Sequence, residues 1–142
     1  MTKEVLVSIT GLQFDLNEEE AVEVISVGEY YYRNGKHYII YEDMLIEGAQ
    51  EAGLTKNTIK IGDNFVEIMK KGAGSVHMMF EKGKKNVTCY STPFGELLLG
   101  LYTTHMQFTE SEQEMVLNLE YARDMNGNHV SDCDITIKVT AR

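Results

Sequence analysis

The residues best suited to metal or nucleophile chemistry are four histidines and two cysteines. His37, His77, His105 and His129 show no H-x-H or other paired spacing. A bound metal needs several donors converging on one ion, so none is expected. Asp124-Met125-Asn126-Gly127-Asn128 opens like a calcium loop, but its glycine falls too early. Counting from Asp124, the place that must supply a bidentate carboxylate is Ile135. A hairpin turn fits this stretch better. Gly72-x-Gly74 lacks the third glycine of a dinucleotide fingerprint and leads into a strand-like run, so no helix N-terminus awaits a phosphate. A G-x-S-x-G elbow does not occur. An enzyme would need His77 or His105 beside Glu42 or Cys89 in a cleft. No motif demands this, and no cofactor is expected.

Binding chemistry is better supplied. Glu42, Lys60, Tyr90, Thr92, Tyr102 and Tyr121 are polar residues within alternating apolar runs. Such residues are what a barrel interior or mouth offers a small ligand. A buried Glu42 would need a donor such as Lys60 to offset its desolvation. The same tyrosines serve equally as core residues with satisfied hydroxyls. Met69, Met78, Met79, Met106 and Met115 suit an adaptable apolar pocket or simple gap-filling.

The elements that must carry these residues are strands. Asn34-Gly35 separates the β-rich runs Ala21–Tyr32 and His37–Ile46. It supplies both positive φ values of a type I′ hairpin. Gly62-Asp63-Asn64, Lys71-Gly72-Ala73-Gly74, Lys82-Gly83-Lys84, Thr92-Pro93-Phe94-Gly95 and Asn126-Gly127 punctuate the rest. Every gap is short, so consecutive strands are expected to pair antiparallel. Between turns the period is two. Val5, Val7 and Ile9 share a face, as do Val76, Met78 and Phe80, then Met115, Leu117, Leu119 and Tyr121, then Cys133, Ile135, Ile137 and Val139. Met44–Ala52 could make a turn or two of helix ended by Gly53. Thr109 and Glu112 have capping-box spacing, but no helical periodicity follows.

These features predict an all-β fold of a single domain, 1–142: a closed antiparallel up-and-down β-barrel of 8–10 strands, lipocalin- or calycin-like. The long strands at both ends, Lys3–Asp15 and Val130–Thr140, could meet and remove the exposed edges. A two-sheet sandwich has the same pattern. Leu97, Leu98, Leu99, Leu101 and Tyr102 place apolar groups on both faces of one run. Either something covers its outside or it is a homodimer interface.

Composition narrows the partners. With 43% apolar and 25% charged residues the chain is an ordinary globular one. A net charge of −9 argues against nucleic acid, whose binders need basic surface. Residues 56–85 are the exception, with seven lysines against three acids, a net +4 that leaves −13 elsewhere. No apolar stretch nears the ~20 residues of a membrane helix, so no membrane partner is expected. The first eleven residues lack the apolar core of a signal peptide. A cytoplasmic protein is the expectation. Cys89 and Cys133 fit it as unbridged, small buried hydrophobes.

Several stretches together resemble the YwiB-like family of uncharacterised bacterial proteins. They are Tyr38-Ile39-Ile40-Tyr41-Glu42, Thr58-Ile59-Lys60-Ile61, Lys71-Gly72-Ala73-Gly74-Ser75 before Met78-Met79-Phe80, Tyr90-Ser91-Thr92-Pro93-Phe94-Gly95, and the ending from Leu119-Glu120-Tyr121 to Ile135-Thr136-Ile137. The Tyr-x-Thr-Pro-Phe-Gly turn is the most specific piece. The resemblance implies a calycin-type β-barrel and no particular activity. In the family that this chain resembles, an arginine often precedes the glycine near position 72. Lys70-Lys71 stands there instead and cannot supply a bidentate guanidinium. The G-x-W of secreted lipocalins is absent, for the chain has no tryptophan. Taken together, the residues point to an intracellular barrel binding a small apolar or weakly anionic molecule. A packed-core interaction module is the alternative, and an enzyme the third.

Overall fold

A computed structural model describes residues 3–11, 23–47, 50–71, 76–92 and 95–142. The strands are β1 (Glu4–Thr10), β2 (Glu23–Arg33), β3 (Lys36–Glu47), β4 (Gln50–Ile61), β5 (Phe65–Lys71), β6 (Val76–Glu81), β7 (Lys85–Thr92), β8 (Gly95–Glu110), β9 (Glu114–Met125) and β10 (Asn128–Ala141). They form one sheet in the order β6-β5-β4-β3-β2-β1-β10-β9-β8-β7, and every neighbouring pair is antiparallel. This is the expected barrel, nearly closed. The first and last strands meet, with Val7 opposite Val139 and Ile9 opposite Ile137.

The two Asn-Gly turns form as expected. Asn34 and Gly35 have φ of 55° and 75°, and Asn126 and Gly127 have 53° and 86°. They join β2 to β3 and β9 to β10 in the mirror-image twist that matches right-handed strands. The calcium-like stretch is thus the β9–β10 hairpin. Asn126 locks it onto β8, donating from its backbone to the Leu98 carbonyl (2.8 Å) and accepting from the Leu98 amide at Oδ1 (2.9 Å).

Two expectations about elements fail. Met44–Ala52 supplies no helix among the described residues. β3 runs to Glu47, β4 starts at Gln50, and Leu45 pairs with Gly53. Continuing the hairpin satisfies the backbone hydrogen bonds, and a sheet rolled on itself leaves that segment no second layer to pack on. The second failure is the assumption that consecutive strands always pair, because β6 and β7 are the two free edges of the sheet. The turn between them is captured by β8 instead. Gly83 donates to the Thr103 carbonyl (2.8 Å), and Thr103 donates to the Lys84 carbonyl (3.4 Å). β7 then pairs along β8, from Lys85 opposite Tyr102 to Thr92 opposite Gly95. Pro93 and Phe94 of the expected turn, and the Gly72–Ser75 turn, lie outside the described residues.

Inward side chains fill the waist. Val5, Val7, Ile39, Ile59, Val66, Ile68, Phe80, Leu101, Leu117, Leu119, Ile135 and Ile137 are all essentially inaccessible. Burying such side chains contributes about 1.5–3 kcal/mol each, the main favourable contribution to the fold. Cys133 is half-buried, and Cys89 is exposed rather than buried as expected. Cys89 stands opposite Leu98, which is itself exposed, so both point outward while Leu99 turns in. Both thiols are free.

Candidate functional site

The Asn34-Gly35 turn sets the register of one end of the barrel. It places Tyr32 opposite His37 and Tyr30 opposite Ile39. In an antiparallel pair these four share one face, and Ile39 is wholly buried, so the face is the inner one. β8 brings Met106, Phe108 and Glu110 to the same mouth from the far wall. The result is a cavity of about 520 Å³ lined by Tyr32, His37, Ile61, Lys82, Met106, Phe108, Glu110 and Leu117, among others.

His37 is its centre. Its ring lies 5.0 Å from that of Tyr32, 5.8 Å from Tyr30 and 5.2 Å from Phe108 across the barrel. Nδ1 is 2.6 Å from the Tyr30 hydroxyl, and Nε2 is 3.8 Å from Glu110 Oε2. A carboxylate facing Nε2 favours a proton there, which leaves Nδ1 to accept from the Tyr30 hydroxyl. The His37 side chain is only 12% exposed, while that of Glu110 is 54% exposed. Burial lowers the His37 pKa more than the nearby carboxylate raises it. Burial also pushes the Tyr30 hydroxyl up, helped by Glu110 and Tyr32. At neutral pH the mouth therefore holds a neutral imidazole beside a neutral phenol, and Asp63, Glu110 and Lys82 also line it.

That lowered pKa gives a stability prediction. The unfolded chain binds a proton at His37 more readily than the folded one, so stability should rise with pH below the ordinary histidine value of about 6.5. Urea midpoints measured between about pH 5 and 8 should show this rise, and His37→Gln should flatten it. An identical slope in the variant would place the titrating group elsewhere.

Of the six ligand candidates chosen from the sequence, the four whose side chains are described, Glu42, Lys60, Tyr102 and Tyr121, do not line this mouth. Glu42 is exposed, opposite Lys56 rather than Lys60, because Tyr41 takes the inner place. Lys60 is half-buried on the outer face, its Nζ 5.6 Å from the Tyr38 ring centroid and 5.9 Å from that of Phe65. Ile59 and Ile61 turn in beside it. Tyr102 is 43% exposed between inward Leu101 and Thr103. Tyr121 does point inward, 2% exposed, with its ring edge-on to Phe80 at 5.0 Å. The side chains of Tyr90 and Thr92 lie outside the described residues, and Gly95 closes the β7–β8 pairing. The enzyme constellation does not assemble. His77 pairs with Glu67 at 3.0 Å, and no hydrogen bond or ion pair among the described residues joins His77, His105, Glu42 or Cys89 to one another.

The sequence did hold one signal for the mouth. A type I′ turn at Asn34-Gly35 dictates that Tyr32 and His37 face each other. Phe108 and Glu110, from the opposite wall, had no such marker.

A family model described as a domain of unknown function, DUF1934, matches residues 7–137. The chain is 28% identical over 118 residues to the uncharacterised β-barrel protein YwiB of Bacillus subtilis (strain 168), covering 83% of this chain and 76% of that protein. A crystal structure of the YwiB protein from Bacillus subtilis superposes with a TM-score of 0.72 at 24% identity, over 98% of this chain and 90% of the other. That likeness establishes a shared fold.

Proposed function

This chain belongs to the DUF1934 family, and from that premise we propose that it is a small-molecule-binding barrel whose ligand sits in the mouth between His37 and Phe108. The carrying observation is the 520 Å³ cavity itself, walled by aromatic rings on strands from opposite sides of the barrel. Its size falls within the usual range of small-ligand sites. The waist below is packed, so the ligand occupies the rim and not the centre. Flat rings on two walls favour a compact, largely apolar molecule. Lys82, which also lines the cavity, accommodates a weak negative charge on it, and the Tyr30–His37 pair orients a polar substituent.

The probe 8-anilinonaphthalene-1-sulfonate has this character, apolar and singly anionic. It should bind with one saturable site per chain and gain fluorescence. Phe108→Ala should weaken it roughly tenfold or more, since a buried phenylalanine contributes about 1.5–3 kcal/mol and each 1.4 kcal/mol is tenfold. Tyr102→Ser, on the outer face, should leave binding unchanged. Native mass spectrometry of protein purified from its own host would reveal a retained ligand. Absence of both probe binding and retained ligand would overturn the reading.

A homodimer is the second reading, favoured by the exposure of Val87, Leu98, Tyr102 and Val130 at 43–57%. Sedimentation should then show dimers that Leu98→Asp dissociates, and a monomeric wild type would remove it.

A further inference from the structure

The far end of the barrel carries a buried cation with no counter-ion among the described residues. Arg123 lies on the inner face of β9 and is 4% exposed. Among the described residues no carboxylate lies within ion-pair distance of it, and its Nε has no hydrogen-bond partner. Asp124, its neighbour, points outward and pairs with Lys85. A buried guanidinium in this state is costly unless something anionic meets it.

Its surroundings are also unpartnered donors. The Tyr121 hydroxyl, Thr103 Oγ1 and Asn86 Nδ2 are buried with no hydrogen bond among the described residues. Burial, and after it the adjacent Cys133 thiol, drives the Tyr121 hydroxyl far above its ordinary pKa, so it remains an O–H. That thiol is a weak partner and sits outside normal hydrogen-bond geometry to the hydroxyl. Register places the four together. Asn86 is opposite Leu101, Leu101 opposite Arg123, and Thr103 opposite Tyr121. They thus fill two adjacent rows across three strands, ~4.8 Å apart strand to strand. Most buried polar groups in folded proteins have partners, so four neighbouring orphans able to donate mark one place where acceptors are missing.

We propose that the inner face of β7–β8–β9 is an oxyanion site, in which Arg123, Tyr121, Thr103 and Asn86 donate to the oxygens of a carboxylate or phosphate group. It is separate from the mouth. Leu117, which lines the mouth, is six residues from Arg123 on β9, about 20 Å at ~3.3 Å per residue. The net charge of −9 works against loose accumulation of anions, so a saturable response reports a built site.

The experiment compares thermal unfolding of the wild type and Arg123→Met in phosphate, acetate, octanoate and chloride at equal ionic strength. In chloride, Arg123→Met should unfold at a higher temperature, because it removes an unpaired buried charge. The wild type should gain roughly 5–10 °C at an oxyanion concentration about 100 times its dissociation constant, and the variant should lack this gain. A gain with phosphate alone assigns a phosphate group. A gain with octanoate alone assigns a carboxylate on an apolar chain, and one with acetate as well assigns any carboxylate. General salt exclusion stabilises both proteins equally, so equal gains, or none, overturn the proposal. A second measurement needs no variant. The chain has three arginines, Arg33, Arg123 and Arg142, of which the first and last are exposed. In ¹⁵N-labelled wild type, one Nε–H resonance should shift saturably with the oxyanion that stabilises it while two stay put. Absence of such a shift is equally fatal.

Discussion

Phe80→Ala is expected to lower stability by about 3–5 kcal/mol, the range for emptying a buried phenylalanine site. Phe80 is fully inaccessible on β6. That strand pairs only with β5, and its other edge faces β7 without a ladder. Backbone hydrogen bonds therefore do not hold the barrel shut along this seam, and side chains must. The Phe80 ring meets Tyr121 of β9 edge-on at 5.0 Å and 66°. An aromatic pair of this geometry adds about 0.5–1.5 kcal/mol beyond area burial. Urea unfolding would measure the loss. Hydrogen exchange of the Met78 and Phe80 amides should accelerate more than that of Val7 or Ile137, which lie at the fully paired β1–β10 closure. Phe80→Leu should recover part of the stability. A loss below about 1 kcal/mol, far under the range for this kind of substitution, would mean that interior packing does not hold the seam.

The second large effect is expected at Gly11, just past β1. Its φ is +90°, and a Cβ built there would lie 2.2 Å from the backbone carbonyl oxygen of Asp134. A backbone oxygen in the sheet cannot swing away as a side chain would. Alanine thus meets two penalties, about 1–2 kcal/mol for the left-handed conformation and about 1–3 kcal/mol for overpacking. Gly35→Ala separates them. Gly35 also has positive φ (+75°), but nothing lies within 4 Å of its Cβ position. It should show only the conformational part, about 1–2 kcal/mol. Equal losses at the two positions would show that the strand end moves freely away from β10.

Much of the architecture is legible in the sequence itself. Period-two runs and short glycine-bearing gaps are local properties, because side-chain alternation and positive φ depend on a residue and its near neighbours. They were enough for eight to ten strands, for both Asn-Gly hairpins and for a barrel that its first and last strands could close, with a two-sheet sandwich left open. The Asn34-Gly35 turn also carries the signal for half of the mouth, since a type I′ turn there sets Tyr32 opposite His37.

Three things were settled only by the closed sheet. One is which side of each strand faces in. In Tyr38-Ile39-Ile40-Tyr41-Glu42 and Leu97–Tyr102 both faces carry apolar groups, so alternation has no preferred parity. A slip of one residue exchanges the faces, which is why Glu42 and Tyr102, expected inside, lie outside; Lys60 stands between Ile59 and Ile61, whose inward turn puts it on the outer face. Another is the seam, where a short turn suggests a hairpin that β8 forestalls by capturing Gly83 and Lys84. The last is everything that meets across the barrel: His37 against Phe108 and Glu110, Phe80 against Tyr121, and the place of Arg123 among donors with no acceptor among the described residues. Such contacts join residues dozens of positions apart, and strand number and stagger around the closed barrel decide them, which no local pattern encodes.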